Sequence, residues 1–344
     1  MKPISFSAAR NNQRVNPAST WFAEGKASGS VELYAFDRLG SDFFNVHCVP
    51  RFSLSAEGYY FMIGSCFARG LESVLAGNGF TVRSVSKEFD RFNHSGVGTP
   101  LGATNRYNTG AILNEFRWAL DPASPFPEQA VVDIDGELSF DPHMNPTLKL
   151  ADRATTLERR NIYTGVMRQV ATADVIIITL GLVEVWYDTR VGVVTNVTPD
   201  PRVVRQDPER FVFRRLTYVE NLDNLEAVHA LLAEFGKAGH KIIVTVSPVP
   251  LMTTFTDEDV VVANSYSKNT LRAVATDFME RHDNVDYFPS YEIVMNTDPK
   301  AAWIPDRRHV RGDLANQIMK LFISRWITEG QTRKIKSADL SAVY

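Results

Sequence analysis

Ser65 stands between a short apolar run, Tyr59-Tyr60-Phe61-Met62-Ile63, and a stretch of helical periodicity, with Gly64 as the pivot. Near the other end of the chain, Asp306 precedes His309 by three positions. These residue types suit nucleophilic catalysis. A serine hydroxyl becomes a nucleophile when a histidine takes its proton, and an aspartate about one turn from that histidine fixes its tautomer and stabilises the imidazolium. A serine at a helix start also faces the first free N–H groups of that helix, donors suited to an oxyanion. Ser65 has an alternative use as a helix N-cap, and an isolated D-x-x-H pair occurs on many surfaces. The placement of both at the ends of expected strands favours chemistry over capping.

The positioning elements follow from periodicity. Tyr59 to Ile63 has strand length and is bounded by Gly58 and Gly64; Phe67, Leu71, Val74 and Leu75 then form one helical face that ends near Gly77-Asn78-Gly79. Phe80 to Val85 is a second strand candidate. Residues 86–104 read as loop, about 108–120 as helix, Ala130 to Phe140 as a hairpin about Asp135-Gly136, and about 155–172 as helix. Val175 to Leu180 is apolar but for Thr179, as buried parallel strands tend to be. Val183 to Val197 reads as a further hairpin, 217–236 as helix, Lys241 to Val246 as a strand stopped by Pro248 and Pro250, and Val260 to His282 as a long helix. Val285 to Phe288 and Leu314 to Ile327 complete the series as strand and helix. The alternation predicts a three-layer α/β/α sandwich with a parallel sheet of about five strands. The expected organisation is an N-terminal arm (1–55), an α/β domain (56–328) with a hairpin insertion near 127–150, and a tail (329–344). In such open sheets ligands bind beyond the carboxyl ends of the strands.

Composition narrows the classes. With net charge −3, 44% hydrophobic and 22% charged residues, the chain has ordinary globular composition and no concentrated basic patch, so a nucleic-acid partner is not expected. Two cysteines, Cys48 and Cys66, define no disulfide framework; with no apolar leader and no run long enough to span a bilayer, a cytoplasmic location without a membrane span is expected. Asp141-Pro142-His143 lacks the further spaced ligands a metal needs, and His47, His94, His229, His240 and His282 show no partner spacing, so neither metal nor cofactor is expected. Gly96 to Gly102 has the wrong final spacing and an interior proline for dinucleotide binding. Ser265-Tyr266-Ser267-Lys268 matches S-x-x-K without the other motifs of penicillin-type enzymes, which leaves Lys268 exposed or lining the site. Cys66 is an alternative nucleophile, but the position after Ser65 turns inward, where a thiol packs as a small hydrophobe. Trp186 and Trp303 are candidates for apolar or sugar-stacking walls, with core packing as the alternative.

Gly64-Ser65-Cys66-Phe67-Ala68 spells the motif of the GSCFA family, which the chain resembles together with the wider SGNH, or GDSL-like, hydrolases. The early Ser65 and late Asp306/His309 follow the order of that group, and the segments 179–186 and 247–251 look like family blocks. The resemblance implies a catalytic triad of Ser65, Asp306 and His309 acting on a small-molecule or glycan ester, by hydrolysis or by acyl transfer to an alcohol; a binding module with a degenerate site is the non-catalytic alternative. The wider group places an Asn of a Gly-x-Asn-Asp block in the oxyanion hole, whereas Gly181-Leu182-Val183-Glu184 has none. The donors expected instead are the Ser65 N–H, a glycine N–H of the 96–102 loop (Gly102 favoured) and the Asn108 amide, for which helix capping is the competing role. Gly181, Glu184 and His143 are placed near the substrate.

Overall fold

The protein is described from a computed structural model that covers residues 3–22, 34–88, 100–145 and 148–327. Helix α1 (Phe6–Val15), opened by the Ser5 side chain, buries no residue, and a single turn α2 (Ala35–Arg38) follows. The 44–54 segment then crosses the main body: the Phe44 N–H donates to Thr297 Oγ1, the Arg51 N–H to Asp286, and the Leu54 N–H to the Trp326 carbonyl. The first repeat is β1 (Tyr59–Ile63), α3 (Cys66–Gly77) and β2 (Thr81–Val82). Next come α4 (Thr109–Leu120), the hairpin β3 (Val132–Ile134) and β4 (Leu138–Phe140), α5 (Arg153–Arg168) and β5 (Val175–Leu180). An excursion follows, made of β6 (Glu184–Asp188), β7 (Val193–Val194), α6 (Pro201–Gln206) and β8 (Phe211–Arg215). The chain returns through α7 (Tyr218–Phe235), β9 (Lys241–Val246), α8 (Val260–Arg281) and β10 (Val285–Tyr287), and ends in α9 (Ser290–Asn296), α10 (Pro299–Ala302) and α11 (Gly312–Trp326).

The central sheet has the order β2-β1-β5-β9-β10, parallel throughout, and is the expected five-stranded layer. Side-chain alternation along each strand splits the core in two. Phe61, Ile63, Ile176, Ile178, Ile242 and Val244 face α4, α5, α7 and α8; Tyr60, Met62, Val175, Ile177 and Ile243 face α3, α9 and α11. Both faces are covered, which is why these strands read as continuous apolar runs. The predicted strand at Phe80 to Val85 shortens to two residues because the Met62 N–H finds the Ser84 hydroxyl at 3.0 Å in place of a backbone carbonyl, and the ladder stops. Asp135 and Gly136 both have positive φ, the conformation a two-residue hairpin turn requires. The second hairpin gains an unforeseen strand: β8 pairs antiparallel with β6 on the side opposite β7. The expected tail at 329–344 lies outside the described residues, as do Gly96, Gly98 and His94.

Candidate active site

The strand order reverses between β1 and β5, so their carboxyl ends open a crevice that helices do not cover. Ser65 and Gly181 follow these two strand ends. Gly64 has φ +148°, and a Cβ there would meet Thr179 Oγ1 at 1.9 Å, so only glycine lets β1 pass this close to β5. Ser65 is the residue before α3, but its side chain makes no capping hydrogen bond. The hydroxyl instead meets the Ser247 hydroxyl at 3.0 Å, in a setting where Ser65 is 4% exposed and Ser247 is fully buried. Ser247 directly follows β9, so a third strand end contributes to the crevice. The Ser65 N–H donates to Thr179 Oγ1 at 3.2 Å.

A short bridge crosses the crevice. The Arg106 N–H donates to the Gly64 carbonyl and the Leu182 N–H to the Tyr107 carbonyl, both at 2.7 Å, while Asn196 accepts the Tyr107 N–H at 3.0 Å. A Cβ on Gly181 would strike the Tyr107 carbonyl at 2.5 Å, which explains the glycine without a substrate. Gly102 lies in the turn before this bridge, its carbonyl accepting the Asn105 N–H. Asn108 caps α4 by accepting the Ala111 N–H at 2.7 Å, and its amide donates to the Thr195 carbonyl at 3.0 Å. Both ends of the Asn108 side chain are thus engaged, in keeping with the helix-cap role. Replacing it with alanine is expected to lower stability by about 1–2 kcal/mol and leave ester turnover within about twofold; chemical denaturation alongside a kinetic assay checks both.

Asp306 and His309 lie in the loop between α10 and α11, closed by the Ile304 N–H to His309 carbonyl bond at 3.0 Å. His309 Nδ1 meets Asp306 Oδ2 at 2.6 Å, and Asp306 Oδ1 accepts the Arg308 and His309 N–H groups. Desolvation raises the Asp306 carboxyl, but those backbone donors and the ring outweigh it and hold it at about 2. His309 Nε2 lies 3.2 Å from Arg308 Nη1. A guanidinium only donates, so Nε2 carries the lone pair and Nδ1 the proton, the tautomer a base oriented by Asp306 requires.

Lys268, expected to be exposed or at the wall, is fully buried on α8 and donates to the Gly181 and Val249 carbonyls, each at 2.8 Å. Burial, reinforced by Arg308, lowers its pKa from 10.5 to about 7. Between those values the unfolded chain holds a proton that the folded chain does not, so stability rises with pH over this window. Lys268→Met is expected to flatten that rise by about 1.4 kcal/mol per pH unit, read from urea midpoints at two alkaline pH values; parallel slopes in the two proteins would mean the folded lysine stays charged. Burial pushes the Cys66 thiol above its ordinary value, which favours the protonated, less nucleophilic form.

Beside the bridge opens a cavity of about 350 Å³. Trp186, Phe213 and Phe255 form an aromatic wall with ring centroids 5.2–5.6 Å apart. Tyr107, Asn108 and Arg308 line it from the crevice side. Tyr107 and Arg308 are also electrostatic neighbours of Cys66, which links the cavity to the turn at Ser65, although Ser65 itself is not part of the wall. Glu184 lines the cavity and accepts from Thr254 Oγ1 at 2.7 Å and the Phe255 N–H at 3.2 Å, pinning that loop. His143 is a correction: it is buried edge-on to Trp118, with both ring nitrogens unpaired, and lines no part of the cavity. Burial takes its pKa down to about 3. Trp303 packs against the α11 core, away from the wall.

Ser247 and Arg308 are the residues around this crevice that sequence reasoning passed over, and it did not foresee the full burial of Lys268. Ser247 ends a strand just as Ser65 does, and Lys268 falls on the buried face of α8 with Leu271, Ala275 and Phe278, so both left a trace. Arg308 left none. Among the described residues no group of acidic, histidine or cysteine side chains has the arrangement of a metal site, and no helix is long and apolar enough to cross a membrane.

The molecule is thus an α/β sandwich with a buried serine at the switch point of its parallel sheet and a histidine–aspartate pair before its last helix. The chain belongs to the GSCFA family, which it matches over residues 60–322, from β1 into α11. No curated protein matches the sequence.

Proposed function

We propose that the protein is a serine ester hydrolase of the SGNH, or GDSL-like, type, which removes a small acyl group such as acetyl from a carbohydrate ester. The observation that carries this reading is Ser65 itself. Its hydroxyl forgoes the helix cap beside it and meets Ser247 at 3.0 Å beyond the ends of β1 and β9. A side chain kept for structure would take the cap, a bond commonly worth about 1 kcal/mol.

In the proposed reaction Ser65 Oγ bonds to the ester carbonyl carbon while its proton passes to His309 Nε2. Asp306 holds the ring and balances the imidazolium. The carbonyl electron pair moves onto oxygen, where the Ser65 N–H, released from Thr179, and Gly102 are the proposed donors. Collapse breaks the bond to the leaving alcohol, which takes the proton from His309. Water then attacks the acyl-enzyme by the same steps in reverse order. Neither a metal nor a cofactor has a part in this scheme.

The aromatic cavity favours a second reading, O-acyl transfer, because an acceptor alcohol seated against Trp186 would compete with water for the acyl-enzyme. The test is fluorophosphonate labelling, followed by a panel of short-chain esters and acetylated sugars with and without added alcohols. Labelling at Ser65 with release of free acid supports the esterase, and acyl transfer in excess of release supports the transferase. A folded protein that takes no label would overturn both and leave a binding module.

A further inference from the structure

Several of the buried arginines of this protein are held by carboxylates. Arg69 pairs with Glu72 at 2.8 Å, Arg106 and Arg160 share Glu115 at 2.8 Å, and Arg210 holds Asp188 at 2.7 Å. Arg308 is different. It lines the cavity yet makes no ion pair among the described residues, and its Nε is buried without an acceptor. The one bond described for its guanidinium goes to Nε2 of His309. The neighbouring carboxylates are committed elsewhere: Asp306 to the His309 ring and two backbone N–H groups, Glu184 to Thr254 and Phe255. Lys268, within electrostatic reach of Arg308, donates to carbonyls alone. The crevice end of the cavity therefore presents positive charge without a counter-ion.

We propose that Arg308 reads a negative charge on the substrate, so that the cleft takes an ester bearing a carboxylate or phosphate, and that this contact uncovers the base. Charge-assisted bonds from a guanidinium to a carboxylate or phosphate are about twice as strong as neutral ones. An anion in the cavity would draw Arg308 off His309 and expose the lone pair that must receive the Ser65 proton. A neutral ester leaves that lone pair covered. Charge selection and activation become one event, which discriminates more sharply than binding alone. The proposal rests on the serine hydrolase reading.

The test compares para-nitrophenyl butyrate with para-nitrophenyl hemisuccinate, and acetylated methyl glucoside with its glucuronate and with an acetylated hexose phosphate. The first pair places the charge on the acyl side; the others place it on the alcohol and separate carboxylate from phosphate. Wild type should favour at least one anionic member by about tenfold or more in kcat/KM. Arg308→Gln should lose that preference while its turnover of the neutral ester rises about threefold, the effect of less than 1 kcal/mol; Arg308→Lys should keep most of it. An Arg308→Gln variant with the wild-type ratio, or with neutral turnover falling alongside the anionic, would overturn the proposal. Should the protein take no fluorophosphonate label and turn over nothing, the hydrolase reading fails separately. Calorimetry with glucuronate and hexose phosphate then decides: binding lost in Arg308→Gln upholds the charge reader, and no binding to wild type ends it.

Discussion

Ser65→Ala is expected to eliminate fluorophosphonate labelling and to reduce ester turnover by about 10⁴-fold or more, while the melting temperature falls by no more than about 3 °C. The two halves have different origins. The kinetic loss follows from removing the attacking oxygen, for which neither Ser247 nor Cys66 is a ready substitute: the first is fully buried and the second is held as a thiol by burial. The small thermal change follows from what the hydroxyl does not do. It makes no helix cap, so α3 loses nothing, and the deleted bond to Ser247 is worth about 1 kcal/mol. A large drop in melting temperature with labelling retained would return Ser65 to a structural role. Measurement needs a labelled gel, a steady-state assay and a thermal melt on the same preparation.

The second large effect concerns stability. Glu115 lies fully buried on α4 between two guanidinium groups, 2.8 Å from Arg106 and 2.8 Å from Arg160, with Asp141 closing the set at 3.0 Å from Arg160. Two positive and two negative charges balance inside the protein. Glu115→Ala would strand two cations beside one carboxylate, and breaking such a pair costs about 3–5 kcal/mol. The loss should be read as a shifted urea midpoint with little change in slope. Because the Arg106 N–H holds the Gly64 carbonyl, the variant should also lose turnover in the fraction that stays folded. Glu115→Gln, which keeps the shape and part of the hydrogen bonding, should fall between the two. A midpoint unchanged in Glu115→Ala would show that the two arginines find other partners.

The sequence carried the sheet plainly because its strands are buried on both faces. Val175 to Leu180 and Lys241 to Val246 read as short, mostly apolar, β-branched runs, and the helices between them followed from their stripes. The Asp306–His309 contact was legible because its geometry is local, three residues in one loop. What escaped was set by tertiary meeting. The Ser65–Ser247 contact joins positions 182 residues apart, and no spacing encodes it. Strand β8 was missed because its pattern, Phe211-Val-Phe-Arg-Arg, is short and half exposed, and helix α1 because it has no buried face to advertise. The surroundings of Asn108 and His143 were not legible for one reason: a polar residue near a loop says nothing about which neighbours will enclose it. Asn108 was claimed by α4 and Thr195, and His143 by an aromatic cage.

The bridge at Arg106–Tyr107 also divides labour within the fold. Ser65 and His309 come from the end of a main-sheet strand and the loop before α11, whereas most of the aromatic wall comes from β6, β8 and the loop at 251–256. The two assemblies meet across one short backbone segment, tied to Gly64 on one side and Leu182 on the other. Changes to the small sheet can therefore reshape what the cavity admits without disturbing Ser65 or the Asp306–His309 pair. That separation makes the excursion between Glu184 and Arg215 a natural place for related chains to diverge in preference, and for a designer to graft a new one.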